Sequence, residues 1–355
     1  MVTGGTAIRP MAMMVAGMVC MLAAVAPPPD PLSSFAPDGF LDAKKQADLS
    51  AGAAVVDVLP ARGGDIAIFG AAKIRVGDER LTAWMRQIDD LQRGPYVPIA
   101  VRFSDPPRLQ DLDRLVLDGS DLDDIRDCER GDCGLKLSGD EIDRLRRRMV
   151  MAGGQWQSAV QTEFRSIMLN RAVTYLARGN DGMAPYEDHE RPVLPGVEVH
   201  GIATRMDAAK LAEPGVAEYL RRFPDMRRDD IESFLYWSKE RFGSGKAIVA
   251  ITRVSIIPGV GDGQTELIVA SKQVFATHYF SASLSFVSIT TPMPSGDRYL
   301  VYARRSHVDV LLGFWGGLTR RIVESRIKGD GPSVLEVIRR RIEGGDPPAQ
   351  GLPAT

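Results

Sequence analysis

Closely spaced β-forming segments dominate the carboxy-terminal third of the chain, and this feature constrains the fold most. Two short polar turn sequences, GDGQ and PSGD, interrupt them. Because consecutive strands joined by short turns pair antiparallel, the region predicts a curled antiparallel sheet. The segments rich in β-branched and aromatic residues are 246–257, 266–280, 281–290 and 298–306.

One part of this region is too long for a single strand. Residues 267–290 would extend about 75 Å at ~3.3 Å per residue. The segment must therefore bend sharply or contain a turn, which we expect near Ser281 and Ser283.

The sequence before the sheet predicts two strands around a GGD turn in residues 53–76, then a helix and a short strand. Residues 105–245 are predicted to be mainly helical. Within them, Ser138 and Glu141 form a capping box at the start of one helix. The last helical pieces of this insertion are predicted at 208–223 and 228–242, and the terminal helix at 314–327, with a break at 329–332 and a last helix to Ile342.

These patterns predict an α+β fold, a curled antiparallel sheet with a long carboxy-terminal helix and a large helical insertion. We expect one domain over residues 49–343. Residues 27–48 are predicted to be a flexible linker and 344–355 a disordered tail, because both are polar and rich in Pro and Gly.

The amino terminus has the layout of an export signal. Arg9 precedes an uncharged run that ends in small residues at Ala24 and Ala26. The run is shorter than the ~20 apolar residues of a membrane-spanning helix. We therefore predict a signal peptide at 1–26 and a periplasmic or secreted protein, with an uncleaved signal anchor as the alternative.

Two cysteines remain if Cys20 leaves with the signal. Cys128 and Cys133 are then an even number in an oxidising compartment, which favours a disulfide between them. A redox pair would have CxxC spacing, and two cysteines alone do not complete a tetrahedral zinc site.

Every second residue between Val274 and Phe286 is apolar except His278, which predicts a strand with one buried face. The residue is either a hydrogen-bonded core histidine or a polar contact in an apolar cavity. The face also carries Phe280.

Other side chains are candidates for the same cavity. Arg304 shares a strand face with Tyr302, so it is either a grip for a carboxylate or phosphate or a surface arginine. Trp237 either reaches the cavity or packs a helix into the core. Asp309 either contacts the ligand or pairs with Arg304 or Arg305.

Several function classes lack support in the sequence. With a net charge of −2 and no basic stripe, no nucleic-acid partner is expected. No metal or cofactor motif occurs, because the four histidines are isolated in sequence, and FGSGKA lacks the residues of a phosphate loop. An enzyme, a hydrolase using His278 and Asp309, is an alternative. Phe314 and Trp315 lie among glycines and predict either close packing or transient membrane contact.

The strings YWSKERFG, SKQVFATHYFSASL and YLVYARRSHVDVLLGFWGGLTRR resemble a group of uncharacterised exported bacterial proteins with no established activity. The order of predicted elements also resembles the START-like helix-grip fold, from which the insertion departs. That second resemblance implies a ligand cavity between the sheet and the terminal helix.

We therefore expect a monomeric exported carrier for a lipid-like or other hydrophobic molecule. Its ligand-binding residues would be His278, Tyr302, Arg304, Phe280, Trp237 and Asp309. An envelope interaction protein without a ligand is the remaining alternative.

Overall fold

The computed structural model describes Met1, residues 42–206, 214–226, 228–243, 245–259, 265–291, 296–313 and 315–345, and Pro347. The predicted signal peptide, apart from Met1, and most of the predicted tail lie outside the described residues. None of the described helices is both long and apolar enough to cross a membrane.

Eight strands form one sheet in which all neighbours are antiparallel. The strands are β1 (Val55–Leu59), β2 (Asp65–Ile74), β3 (Ile99–Arg102), β4 (Glu232–Glu240), β5 (Ile248–Pro258), β6 (Thr265–Ala276), β7 (Phe280–Thr290) and β8 (Arg298–Val308). Their order is β1-β2-β8-β7-β6-β5-β4-β3, so the last strand returns to pair with β2. The predicted curled antiparallel sheet is confirmed.

Helices cover both faces of the sheet. They are α1 (Ala43–Ser50), α2 (Asp78–Arg86), α3 (Ile88–Gln92), α4 (Gly119–Asp127), α5 (Gly139–Ala152), α6 (Trp156–Arg178), α7 (Pro195–Arg205), α8 (Pro214–Arg222) and α9 (Gly316–Gly344). The long terminal helix α9 and the α+β class agree with the sequence prediction.

An apolar core lies on each face of the sheet. On the inner face, α2, α3 and α9 pack with side chains such as Val254 and Val269. On the outer face, the inserted helices α4 to α8 pack with side chains such as Leu284 and Phe286. The insertion therefore forms a second layer on the side of the sheet that α9 does not cover.

The capping box at the start of α5 forms as predicted. The Ser138 hydroxyl accepts from the Glu141 N–H, and the Glu141 carboxylate accepts from the Ser138 N–H at 2.8 Å. Glu141 also accepts from Arg171 of α6, so the cap joins two helices of the outer layer.

Three sequence predictions were wrong in detail. Most of residues 228–242 form strand β4 rather than a helix, because the aromatic run around Trp237 pairs with both β3 and β5. No break occurs at 329–332, since α9 continues through Pro332. Residues 43–48, placed in the flexible linker, begin helix α1, which Asp42 caps.

Gly331 explains in part why the predicted break in α9 does not occur. A side chain at this position would meet Val56 of β1, with an ideal Cβ only 2.7 Å from its Cγ1. The glycine that suggested a helix end is therefore required where α9 approaches the sheet closely.

Candidate binding site on the inner face of the sheet

The turn inside the long β segment determines which side chains reach the inner face. It lies at residues 277–279, with Tyr279 at a φ of 63°, rather than near Ser281 and Ser283. Because the turn interrupts the alternation, His278 and the six apolar residues that alternate around it do not share a face. Ala282, Leu284 and Phe286 face outward into the core beneath the inserted helices.

The residues of β7 that alternate with these face inward, and several of them are serines. Ser283 lies opposite Ser306 of β8, and Ser285 lies opposite Arg304. Arg304 in turn lies opposite Ile68 of β2. An arginine and three hydroxyls therefore occupy the middle of the inner face.

The centre of the inner face is less tightly covered than the outer face. Tyr302, Arg304 and Ser285 are half-buried, although they lie on central strands. Their outward neighbours Ala303 and Phe286 are only 5% and 1% exposed. Helix α9 contacts the sheet mainly along β1 and β2. We call the half-buried surface around Arg304 the inner-face site.

Two serines hold Arg304 in place. Its Nε–H donates to Ser283 Oγ at 3.0 Å and to Ser306 Oγ at 3.1 Å. The two hydroxyls are themselves 2.8 Å apart. The guanidinium carries four more N–H donors on its two Nη atoms. It also lies over the ring of Phe280, 5.3 Å from the centroid.

The surroundings keep this cation charged. Burial lowers the pKa of Arg304, but the nearby Tyr302 and Glu240 side chains outweigh it and raise the pKa above its ordinary value. Glu240 is oriented by the Ser238 hydroxyl at 2.8 Å. Tyr236 completes the polar surface as a neutral phenol, because burial raises its pKa, and it hydrogen-bonds Gln92 at 3.1 Å.

An apolar wall lies beside Arg304. Val323 and Ile327 of α9 pack against the same small buried cluster as Ile68 and Phe280 of the sheet. These side chains are half-buried. A fixed cation next to apolar side chains suits a ligand with an anionic group and an apolar body.

His278, predicted to line an apolar strand face, instead lies in the turn between β6 and β7. Its Nε2 is 3.0 Å from Asp121 Oδ1 of α4. The two side chains are 3% and 1% exposed. The interpretation as a hydrogen-bonded core histidine therefore describes its position, and the pair joins the hairpin to the inserted layer.

Trp237 and Asp309 also lie away from the inner-face site. Trp237 is fully buried on the outer face, where its indole N–H donates to the Asp111 carbonyl at 2.8 Å. Asp309 follows β8, where it pairs with Lys136 and accepts a hydrogen bond from Ser281. Arg305 pairs elsewhere, donating to the Arg205 carbonyl at 2.8 Å.

A small acidic cluster surrounds Asp309. One ligand atom from each of Asp188, His189 and Asp309 lies within 4.8 Å of the others. The buried ammonium of Lys136 contacts Asp309 and lies 3.6 Å from Asp188. A cation of the chain itself therefore already compensates the two carboxylates.

The predicted disulfide is present. Cys128 and Cys133 are bonded, with Cα atoms 4.4 Å apart, at the end of α4. Gly131 allows the loop to turn with a φ of 84°. Both cysteines are buried, at 3% and 7% exposed.

A separate surface cleft of about 370 Å³ lies where the loop after α3 meets the end of α9. Arg341, which lines it, donates to the carbonyls of Asp90, Leu91 and Arg93. Because Arg341 already hydrogen-bonds carbonyls at the end of α3, it is not available to pair with a ligand in this cleft.

Sequence reasoning found Tyr302, Arg304 and Phe280 but missed the serines around them. The signal was present, because Ser281, Ser283 and Ser285 alternate with apolar residues. That alternation indicates a strand with one polar face.

Comparison with known proteins gives no relative. No protein-family model, no curated protein and no solved structure matches this chain. The fold and site define a class, an α+β protein with a polar, arginine-centred inner face beside its terminal helix. The resemblance to uncharacterised exported proteins and to the helix-grip fold stays a prediction.

Proposed function

We propose that this is an exported binding protein for an amphipathic small molecule whose anionic group contacts Arg304. The observation that carries the proposal is the half-buried guanidinium held by two serines beside the apolar wall of Phe280 and Ile327. The sequence alone suggested a lipid-like ligand in an apolar cavity. The serine-rich inner face favours a ligand with a distinct polar end.

Hydrogen bonds and apolar burial would both contribute to the free energy of binding at such a site. Each hydrogen bond from a charged donor contributes about 1.5–3 kcal/mol. Apolar burial contributes about 25 cal/mol per Å² removed from water. A ligand with both parts would therefore be favoured over a fully apolar one, which would remove water from the guanidinium without supplying an acceptor in its place.

The disulfide supports the exported location. Disulfides persist outside the reducing cytoplasm. A bond between Cys128 and Cys133 therefore fits a periplasmic or secreted protein. The signal peptide at residues 1–26 remains part of the proposal, and sequencing the amino terminus of the secreted or periplasmic protein tests it.

Membrane contact is a second part of the proposal. Trp315, at the start of α9, is 68% exposed, and Leu312 and Leu318 are 60% and 55% exposed. Apolar side chains of this kind favour a membrane interface. Phe314, predicted to take part, lies outside the described residues.

The hydrolase alternative is not favoured by the geometry. His278 pairs with Asp121, while Asp309 pairs with Lys136. The two residues therefore belong to different polar groups.

Native mass spectrometry of the protein purified from its exporting host tests the binding function. We expect a fraction of molecules to carry one small molecule with an acidic group, released on denaturation. An Arg304→Gln variant should be empty, and an Arg305→Gln variant should carry the same molecule as the wild type. Empty protein in all three preparations would contradict the proposal.

A further inference from the structure

Two buried cations face each other on the outer side of the sheet. Arg253 of β5 lies directly opposite Lys272 of β6. They are 2% and 1% exposed. Like charges directly opposite each other on neighbouring strands are destabilising, and burial adds a large desolvation penalty. An arrangement of this kind needs a compensating partner.

Neutral groups surround Lys272. Its Nζ donates to Asn180 Oδ1 at 2.9 Å and to the Leu220 carbonyl at 3.1 Å. The ammonium lies 5.0 Å from the ring centroid of Tyr175 in α6. These contacts orient the group without neutralising it.

Arg253 is also held by neutral groups. Its Nη2 donates to the Tyr219 hydroxyl of α8 and, at 3.1 Å, to Ser233 Oγ. The guanidinium stacks over Phe223, with Cζ 3.4 Å from the ring centroid. Among the described residues, no carboxylate forms an ion pair with Arg253 or Lys272.

Several polar atoms in this region lack a partner among the described residues. They include Nε and Nη1 of Arg253 and the Ser255 hydroxyl. Ser255 lies two residues along β5, on the same face as Arg253. Buried polar groups in folded proteins are nearly always satisfied. The unsatisfied groups here include several donors next to two cations.

We propose that Arg253 and Lys272 form an enclosed binding site for a small oxyanion, of the phosphate or sulfate class. Both charged groups have N–H donors and no acceptor, so they require an acceptor-rich anion. The site is closed by α6, α8 and the sheet, which excludes a long or bulky ligand. The anion would fix the inserted helices to the sheet.

This oxyanion site is distinct from the inner-face site. Arg253 and Lys272 face the inserted helices, whereas Arg304 faces α9. The two proposals therefore fail independently.

Equilibrium dialysis with inorganic phosphate and thermal unfolding in millimolar sulfate test the site in the full chain. We expect one phosphate bound per chain. Saturating sulfate should raise Tm relative to chloride at equal ionic strength, because a ligand that binds only the folded state stabilises it. At a sulfate concentration 100 times Kd, the folding equilibrium should shift about 100-fold.

Two variants with neutral side chains, Lys272→Met and Arg253→Met, should lose phosphate binding and the sulfate-dependent rise in Tm. Lys272→Met is expected to fold, because replacing a buried charge with an apolar side chain of similar volume is often neutral or stabilising. Arg304→Gln should keep both properties, which separates the oxyanion site from the inner-face site.

Two results would overturn the proposal. One is the absence of bound phosphate together with an equal effect of sulfate on the wild type and on Lys272→Met. The other is phosphate binding by Lys272→Met and Arg253→Met that is as tight as binding by the wild type.

Discussion

Ser283 accepts a hydrogen bond from the Nε–H of Arg304 at 3.0 Å, from the neighbouring strand. The contact fixes the guanidinium at its Nε, and the two Nη atoms carry its other four N–H donors. An arginine held in this way has lost part of its rotamer freedom before a ligand arrives. Preorganisation of this kind reduces the entropic cost of binding.

Removing that contact should weaken binding without removing the charge. For Ser283→Ala we expect affinity for an anionic amphiphile to fall about fivefold to tenfold, about 1–1.4 kcal/mol. Fluorescence titration with cis-parinaric acid measures the change. Ser288→Ala is the matched control, because this hydroxyl lies on the outer phase of the same strand and has no partner among the described residues. Equal losses in both variants would contradict the role of Ser283.

Lys272 should give the protein an unusual dependence on pH. Without a bound anion, burial, with a smaller effect of Arg253, lowers the pKa of the Lys272 ammonium to about 7. Between pH ~7 and ~10 the unfolded chain then binds one more proton than the folded chain. The free energy of unfolding should therefore rise with pH in this window, by up to about 1.4 kcal/mol per pH unit from this group.

Urea denaturation in chloride buffers between pH 7 and 9.5 measures the slope. The other groups around Lys272 are Arg253, Asn180, Tyr175 and Tyr219. Tyr175 has a pKa raised to about 12 by burial, so ionisation of its unfolded form near pH 10 sets the upper limit of the experiment. Lys272→Met should show a flatter slope than the wild type. Parallel slopes would mean that Lys272 keeps an ordinary pKa.

The buried pair between Arg171 and Glu141 should be essential to the inserted layer. Arg171 donates to both carboxylate oxygens, at 2.8 and 2.5 Å, and the side chains are 3% and 8% exposed. Arg171→Met leaves a buried carboxylate without its cation, so we expect a loss of about 3–5 kcal/mol in the free energy of unfolding.

The exposed pair between Arg130 and Asp143 is the control for that measurement. Its side chains are 50% and 42% exposed. Arg130→Met should cost less than about 1 kcal/mol. A comparable loss in the two variants, measured by urea denaturation, would show that burial of the Arg171 pair has no special effect.

The disulfide should contribute modestly to stability. The loop between Cys128 and Cys133 is short, and the chain-entropy model gives about 2 kcal/mol for a loop of this size. The double variant Cys128→Ser and Cys133→Ser should therefore fold and unfold at lower urea. Wild-type protein treated with reductant should match it. A double variant as stable as the oxidised wild type would show that the bond stabilises only the local loop.

The sequence predicted the sheet, the long terminal helix and the capping box, because each depends on a local pattern of side chains. It did not predict strand β4, since the run around Trp237 becomes a strand only through pairing with β3 and β5. It also did not predict the continuity of α9 at Gly331, which depends on contact with Val56. Both features depend on residues distant in the chain.

Some features of the candidate site could likewise be predicted from local patterns, and others could not. Alternation along β8 placed Tyr302 and Arg304 on one face, as the structure shows. The position of one turn then decided the rest. With Tyr279 in the turn, the serines of β7 face inward and His278 leaves the sheet. A difference of a few residues in the turn therefore exchanges an apolar face for a polar one.

The most direct test of the account is the affinity of Arg304→Gln for cis-parinaric acid, compared with its methyl ester. If the guanidinium binds the carboxylate, the wild type should bind the acid at least about tenfold more tightly than the ester. Arg304→Gln should remove that preference, and Arg305→Gln should retain it. Equal affinities of the wild type for acid and ester, or an unchanged preference in Arg304→Gln, would contradict the account.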